Sequence, residues 1–280
     1  EPDPGPTACN ATPNVYDPAD FDRVLENFER TTTLRLSGSQ WDNTLVRNCR
    51  IHDTGGDGVY LKDVRNVVIQ GCEIWNVGSA ESDRGVKLSG LGSTQDVVID
   101  GNYVHDIPRS GIFSGQYSDY RNSNHPGLKI LNNRIERTGT ALNTGHHPIY
   151  VQSSDAYIEG NVISGPRAGN GISIRSSGVV RCNSVSGTSS KGKPGIRYYS
   201  DHVAGDSNLL VIENNTIVDD NIGIDLYKPV TEPDINSPPP EHVVKNFVIR
   251  YNTIDAPNDI RIHSDYDDPV YNVNIHDNTY

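Results

Sequence analysis

The sequence predicts an all-β chain that folds as a single-stranded right-handed parallel β-helix, a solenoid, with a short N-terminal capping helix. Three observations support this prediction. A phrase of aliphatic residues with an asparagine recurs at intervals of 22 to 37 residues along the 280-residue chain. A second phrase, usually a glycine followed by alternating aliphatic residues, accompanies most copies of the first. Self-similarity at this period is typical of repeat architectures, and only one segment, near the N-terminus, has a helical pattern.

The first phrase is exemplified by LKILNNRIER, in which two asparagines interrupt a strand pattern. Asparagine is depleted in strands, so its recurrence at one place in the repeat needs a structural reason. Stacked amides can hydrogen-bond to one another and to the backbone, which satisfies a polar side chain inside the solenoid. We therefore predict a ladder with one residue in each coil, formed by Cys49, Cys72, Asn102, Asn133, Asn161, Asn183, Asn215, Asn252 and Asn278. The two cysteines, one coil apart, can either form a disulfide or merely stack.

The second phrase appears as DGVYLK, NGISIR and IGIDLY, and its residues alternate between the two faces of a strand. The glycine, present in six of eight copies, suits a sharp bend between strands. With two or three strands in each coil, we expect about eight or nine coils. The inward-facing column is predicted to be Val59, Val86, Ile112, Ile149, Ile172, Ile196, Ile224 and Ile260.

Residues 17–30, with the sequence DPADFDRVLENFER, form the one predicted helix. Asp17 suits the N-cap and Pro18 suits the first helical position. The apolar residues of the segment fall on one helical face, namely Phe21, Val24, Leu25 and Phe28. Because an open solenoid end must be covered, we expect residues 1–32 to be an N-terminal extension with a capping helix and residues 33–280 to be the β-helix domain.

The opening sequence, EPDPGPTACNATPN, resembles a mature end left after removal of a signal peptide. No apolar run approaches the roughly 18 residues that a membrane span needs. The four cysteines are compatible with export. We therefore expect a secreted, extracellular protein without a membrane partner.

The charge is unevenly distributed along the chain. A net charge of −12 argues against a nucleic-acid partner. However, the segment from Arg84 to His202 holds 13 Lys and Arg against 8 Asp and Glu. Because a solenoid converts sequence position into axial position, the middle coils should form a relatively positive band that attracts an anionic ligand.

Outward-facing positions of the middle coils collect residue types that suit carbohydrate chemistry, and long turns at residues 115–127, 136–147 and 186–195 flank them. Aromatic rings offer stacking surface, arginine binds carboxylates in a bidentate manner, and histidine and tyrosine transfer protons. A single exposed arginine or tyrosine is usually structural, so the prediction depends on the cluster. The candidate catalytic residues are His147, Tyr150, Lys87, Arg175 and Arg197, and the candidate substrate-binding residues are Arg84, Phe113, His146, Gln152, Tyr199 and His202.

From about residue 33 to residue 280, the chain resembles the pectate-lyase-like superfamily of parallel β-helices. The resemblance is carried by the NN-x-I and G-I/V-x-I/L phrases and by the asparagine ladder. The superfamily includes polysaccharide lyases, uronate C5 epimerases, glycoside hydrolases and attachment proteins. The Asp-Pro-His motif of mannuronan epimerases and a calcium-binding carboxylate cluster are missing from the sequence. The basic face is more similar to the alginate and chondroitin lyases of this fold, which rely on Lys and Arg.

The resemblance implies a secreted polysaccharide lyase that cleaves a uronate-containing polysaccharide by β-elimination. Arg175 and Arg197 would neutralise the substrate carboxylate. Tyr150 or His147 would be the base, with the other, or Lys87, as the acid. A C5 epimerase, a glycoside hydrolase and a non-catalytic glycan-binding β-helix remain alternatives. No zinc signature with standard spacing is present, so we predict no metal or cofactor, and we expect a monomer whose partner is the acidic polysaccharide.

Overall fold

The computed structural model describes residues 8–9, 12–78, 82–89, 93–115, 124–140, 145–188, 192–200, 208–218, 220–228, 244–264 and 272–280. These residues form three parallel sheets that wind around one core. Sheet A contains β1 (Arg23–Glu26), β4 (Thr44–Arg47), β7 (Arg65–Gln70), β10 (Gln95–Asp100), β13 (Lys129–Leu131), β16 (Ala156–Glu159), β19 (Gly178–Arg181), β22 (Leu209–Glu213), β25 (Asn246–Arg250) and β28 (Asn272–His276).

Sheet B contains β2 (Glu29–Arg30), β5 (Arg50–His52), β8 (Glu73–Trp75), β11 (Tyr103–His105), β14 (Arg134–Glu136), β17 (Val162–Ser164), β20 (Ser184–Ser186), β23 (Thr216–Val218) and β26 (Thr253–Asp255). Sheet C contains β3 (Leu34–Ser37), β6 (Val59–Lys62), β9 (Val86–Ser89), β12 (Ile112–Gly115), β15 (Ile149–Val151), β18 (Ile172–Ile174), β21 (Pro194–Tyr199), β24 (Ile222–Lys228) and β27 (Asn258–Ser264). The predicted parallel β-helix is confirmed, with three strands in each complete coil. Over the described residues, sheet A has ten strands and sheets B and C have nine each, which makes nine complete coils and one further strand, in agreement with the eight or nine coils predicted.

The asparagine ladder is confirmed. The side-chain Nδ2 of Asn133 donates to Oδ1 of Asn161 at 2.9 Å, and the backbone N–H of Asn133 donates to the same oxygen at 3.0 Å. The same pair of bonds repeats from Asn102 to Asn278. The residue before each rung has left-handed backbone, as Asn132 does with φ +53°. The paired asparagines of the opening phrase therefore have two roles, since the first adopts a conformation that asparagine tolerates well and the second forms the rung.

The Cys49–Cys72 pair, for which both bridging and stacking were open, forms a disulfide. A second disulfide, Cys9–Cys182, was not predicted from the sequence. It ties an N-terminal arm, described at residues 8–9 and 12–16, to the outside of the solenoid. Cys182 is itself one of the left-handed residues before a rung, with φ +57°, so its side chain does not enter the core as the rung does.

The predicted capping helix over residues 17–30 is wrong. Only a 3-10 helix, Pro18–Asp20, forms there, capped by Asp17, whose Oδ1 accepts from the N–H of Ala19 at 2.9 Å. The following residues are strands β1 and β2, which pair with β4 and β5. The exposed edge of the first full coil offers backbone hydrogen bonds that outweigh a local helical preference. The β-helix therefore begins near residue 23 rather than at residue 33.

A second 3-10 helix spans Ser39–Trp41. Neither of these short helices, which are all that the described residues form, has the length or apolar character of a membrane span.

Sheet B carries a stack of three rings on its outer face. Trp75 lies between two histidines in the adjacent coils, with ring centres 4.2 Å from His52 and 5.8 Å from His105. His52 is also held by two carboxylates, Nδ1 2.7 Å from Asp53 and Nε2 2.8 Å from Glu29. These hydrogen bonds, first Asp53 and then Glu29, raise the pKa of His52 above its ordinary value.

We expect His52→Gln to lower the urea midpoint more at about pH 5.5 than at about pH 8.5, on either side of the ordinary histidine pKa of about 6.5. A raised folded-state pKa contributes stability that is complete below the unfolded-state pKa and is lost as pH rises through the folded-state value. As a control, Asn76→Ala removes an uncharged donor to Asp53 and should give the same loss at both pH values. Equal losses for His52→Gln at both pH values would contradict this role.

Candidate functional site

Sheet C brings most of the candidate residues to one face. Its strands pair in register, so that the outward position of each coil lies directly beside the next. Alternation along a strand predicts this column, and the register agrees with it. In chain order the column is Tyr60, Lys87, Phe113, Tyr150, Ser173, Arg197, Asp225 and Arg261.

A continuous line of guanidinium groups and aromatic rings crosses the middle and C-terminal coils. We call it the cation–aromatic row, and its members are Arg84, Phe113, Tyr150, Arg175, Tyr199, Arg197, Tyr227 and His263. The Arg84 guanidinium lies 4.1 Å from the centre of the Phe113 ring, which stacks on Tyr150 at 4.9 Å. Arg175 lies between Tyr150 and Tyr199, 5.0 and 4.6 Å from their ring centres.

The row continues towards the C-terminus with the same spacing. The Arg197 guanidinium lies 5.0 Å from the centre of Tyr199 and 4.8 Å from that of Tyr227. The Tyr227 ring then stacks on the imidazole of His263 at 4.2 Å. Cation–aromatic contacts at these distances are favourable, especially when partly desolvated.

The centre of the row is buried, although strand alternation predicts exposed, outward-facing positions for Tyr150 and Gln152. Phe113, Tyr150 and Gln152 are each at most 1 % exposed. Gln152 Nε2 donates to the Tyr150 hydroxyl at 3.0 Å, while Phe113 and Arg175 cover the ring. Strand alternation determines which way a side chain points but not whether its neighbours cover it, because stacked coils pack large outward side chains against one another.

The two adjacent histidines are also buried. Nδ1 of His147 accepts a hydrogen bond from the backbone N–H of Asn170 at 2.9 Å. Burial, with a smaller effect from Arg175, holds the pKa of His147 well below its ordinary value. Burial likewise lowers the pKa of His146 to about 4. Both imidazoles are therefore neutral at neutral pH, which suits a hydrogen-bond or proton acceptor and not a charged group.

An acidic residue that was not among the site candidates organises the C-terminal part of the row. Asp225 is fully buried, and its Oδ2 lies 3.0 Å from Nε of Arg197. Arg261 donates to both of its oxygens, at 2.9 and 3.1 Å. The sequence signal was available, because Arg197, Asp225 and Arg261 are successive members of one outward column.

Lys87 belongs to a different part of the face. Its Nζ lies 3.8 Å from Oδ2 of Asp57 and 5.7 Å from the centre of the Tyr60 ring. The structure therefore does not bring Lys87 together with Tyr150 or His147. His202 lies outside the described residues, and so do residues 116–123, 141–144 and 189–191 of the long turns. Among the residues that are described, no group of three or more His, Cys, Asp or Glu is placed to hold a metal ion.

One comparison with known protein families agrees with the architecture. A family model described as right handed beta helix region matches residues 21–142. No curated protein sequence matches the chain. Among solved structures, the alginate lyase from Paenibacillus sp. str. FPU-7 is similar, with 15 % sequence identity over 92 % of this chain and 91 % of that chain and a TM-score of 0.45. The stacked coils, the asparagine ladder and the matched family model lead to one assignment: the chain folds as a right-handed parallel β-helix.

Proposed function

We propose that the cation–aromatic row binds a uronate-containing polysaccharide and that the protein cleaves this polymer by β-elimination. The observation that carries the proposal is the alternation of guanidinium groups and aromatic rings along sheet C. Rings stack on sugars, and guanidinium groups pair with carboxylates. A polymer that presents both features repeatedly is complementary to a row that repeats from coil to coil.

The proposed chemistry needs a cation, a base and an acid. Pairing of the uronate carboxylate with Arg175 and Arg197 makes the neighbouring C5 proton more acidic. A base then takes that proton, a C4–C5 double bond forms, the C4–oxygen bond breaks, and the departing glycosidic oxygen receives a proton. Tyr199 is half-exposed between the two guanidinium groups, whereas Tyr150 is fully buried. Tyr199 is therefore better placed to reach the sugar, while Tyr150 and His147 support the row from within.

The test is incubation with alginate, pectate, glucuronan and glycosaminoglycans, followed by ultraviolet absorbance of unsaturated uronates and proton NMR of the products. Arg175→Ala and Tyr199→Phe should each lower the rate about 100-fold or more. Tyr150→Phe and His147→Ala test the two bases predicted from the sequence. Matched controls are Arg134→Ala and Tyr103→Phe, because Arg134 also lies over a tyrosine ring, at 4.9 Å, but on sheet B.

Full activity in Arg175→Ala, Tyr199→Phe, Tyr150→Phe and His147→Ala alike would overturn the assignment of this face. Exchange of the C5 hydrogen with solvent, without new ultraviolet absorbance from unsaturated uronates, would instead indicate an epimerase. New reducing ends without absorbance would indicate a hydrolase, which the geometry disfavours. Asp57, two residues before β6, and Asp225, on β24, lie six coils apart, about 29 Å at about 4.8 Å a coil, whereas hydrolysis needs carboxylates within about 10 Å of each other.

One observation favours a second function, non-catalytic glycan binding. Tyr150 and His147 are at most 4 % exposed, which suits a structural support of the row. This function predicts that the same polymers bind without new unsaturated or reducing ends. For either function we propose an extracellular location, with which the two disulfides are consistent.

A further inference from the structure

We propose that Tyr60 and the three cations around it, Arg35, Lys62 and Lys87, form a second subsite for the acidic polysaccharide, next to the buried N-terminal end of the cation–aromatic row. We call it the Tyr60 subsite. The identity of its ligand rests on the proposed function. The location of the subsite is independent of the proposed function. Tyr60 and Lys62 lie on β6, and Arg35 and Lys87 lie on the strands at either side of it.

Tyr60 is enclosed by positive charge along the solenoid axis. The Arg35 guanidinium lies 4.0 Å from the centre of the Tyr60 ring in one adjacent coil, and Lys87 Nζ lies 5.7 Å from it in the other. Lys62 follows two residues later on the same strand, so it faces the same way. Arg35 is exposed, and the other three side chains are half-exposed. A ligand can therefore reach the ring edge and all three cations.

The charges of this subsite are poorly compensated within the protein. Lys87 is 3.8 Å from Asp57, but neither Arg35 nor Lys62 forms an ion pair with any residue that the structure describes. Sheet B differs, since Arg50 and Arg137 each lie within 3.3 Å of a carboxylate. On a chain with a net charge of −12, uncompensated cations gathered around one aromatic ring indicate an external anion.

The distance from the Tyr60 subsite to the accessible part of the row, at Arg197 and Tyr199, defines the length of the ligand. Tyr60 and Arg197 belong to the same column, five coils apart, which corresponds to about 24 Å at about 4.8 Å a coil. Phe113 and Tyr150 lie between them and are buried. Only a chain of several sugar units can contact both sites at once. A ligand that is bound at the first site reaches the second site intramolecularly. This raises the overall affinity by about 10²-fold or more.

The experiment measures binding of size-fractionated alginate and pectate, trimers against chains of about twenty sugars, by titration calorimetry with the whole protein. Wild type should prefer the long chains strongly, and Arg35→Gln with Lys62→Gln should reduce that preference about tenfold, since one of the two sites loses its charge. The matched control is Arg65→Gln with Lys129→Gln, which removes the same charge from sheet A and should keep the preference.

Each outcome decides the proposal. A lost length preference in the Arg35 and Lys62 variant alone supports the Tyr60 subsite, even if no polymer is cleaved and the lyase proposal fails. Cleavage with an unaltered length preference overturns the subsite while the lyase proposal stands. An equal loss of the length preference in the control variant would assign the effect to net charge and overturn the Tyr60 subsite. Wild-type protein that binds neither polymer would overturn the subsite as well.

Discussion

Replacement of Asn161 by leucine is expected to lower the free energy of unfolding by about 4 kcal/mol, because two buried donors lose their acceptor at about 1–3 kcal/mol each. Asn161 Oδ1 accepts both the backbone N–H and the side-chain Nδ2 of Asn133. Its own Nδ2 donates to the carbonyl of Ile130 and to Asn183. Leucine is similar in size but can make none of these bonds, and water has no access to a fully buried rung.

The matched control is the last rung, Asn278→Leu. Asn278 is only partly buried, so water can replace the lost bonds, and we expect a loss of about 1 kcal/mol. Urea unfolding of both variants provides the measurement. A loss at Asn161 no larger than that at Asn278 would show that the ladder contributes little to stability.

Removal of the Cys9–Cys182 disulfide by paired alanines should lower the free energy of unfolding by about 5 kcal/mol, from the chain entropy of the loop it closes. The cysteines are 173 residues apart in sequence, so the crosslink restricts more than half of the unfolded chain. The arm also binds the solenoid by hydrogen bonds, since the backbone N–H and Nδ2 of Asn14 donate to Asp100 at 2.8 and 3.0 Å.

Asn14→Ala separates the crosslink from these hydrogen bonds, because it leaves the disulfide intact. It should lower the free energy of unfolding by only about 1 kcal/mol. Thermal and urea unfolding under non-reducing conditions compare the two variants. If the alanine pair costs no more than Asn14→Ala, the arm is held by its polar contacts and not by the crosslink.

The features that repeat from coil to coil could be predicted from the sequence. Parallel coils in register turn sequence periodicity into spatial neighbours, so the ladder and the outward column of sheet C could be read directly. The left-handed position before each rung was also readable, because asparagine, glycine or aspartate usually occupies it, as at Asn132, Gly160 and Asp277.

Three features could not be read from periodicity. The segment with Val24 and Leu25 fits a helix as well as a strand, and an available sheet edge decided between them. Burial of Tyr150 depends on the sizes of its neighbours, which alternation does not report. The Cys9 partner depends on the path of an arm outside the repeat, so no internal pattern could indicate Cys182.

The arm has a consequence for biosynthesis. Cys9 leaves the ribosome early, but its partner is not translated until 173 residues later, when the coils between them are already available to fold. The thiol of Cys9 therefore stays unpaired by Cys182 until the coils between the two cysteines have been translated. The Cys9–Cys182 disulfide can form only after the seventh coil has folded against the arm. A pulse-chase experiment is therefore expected to detect this disulfide later than Cys49–Cys72.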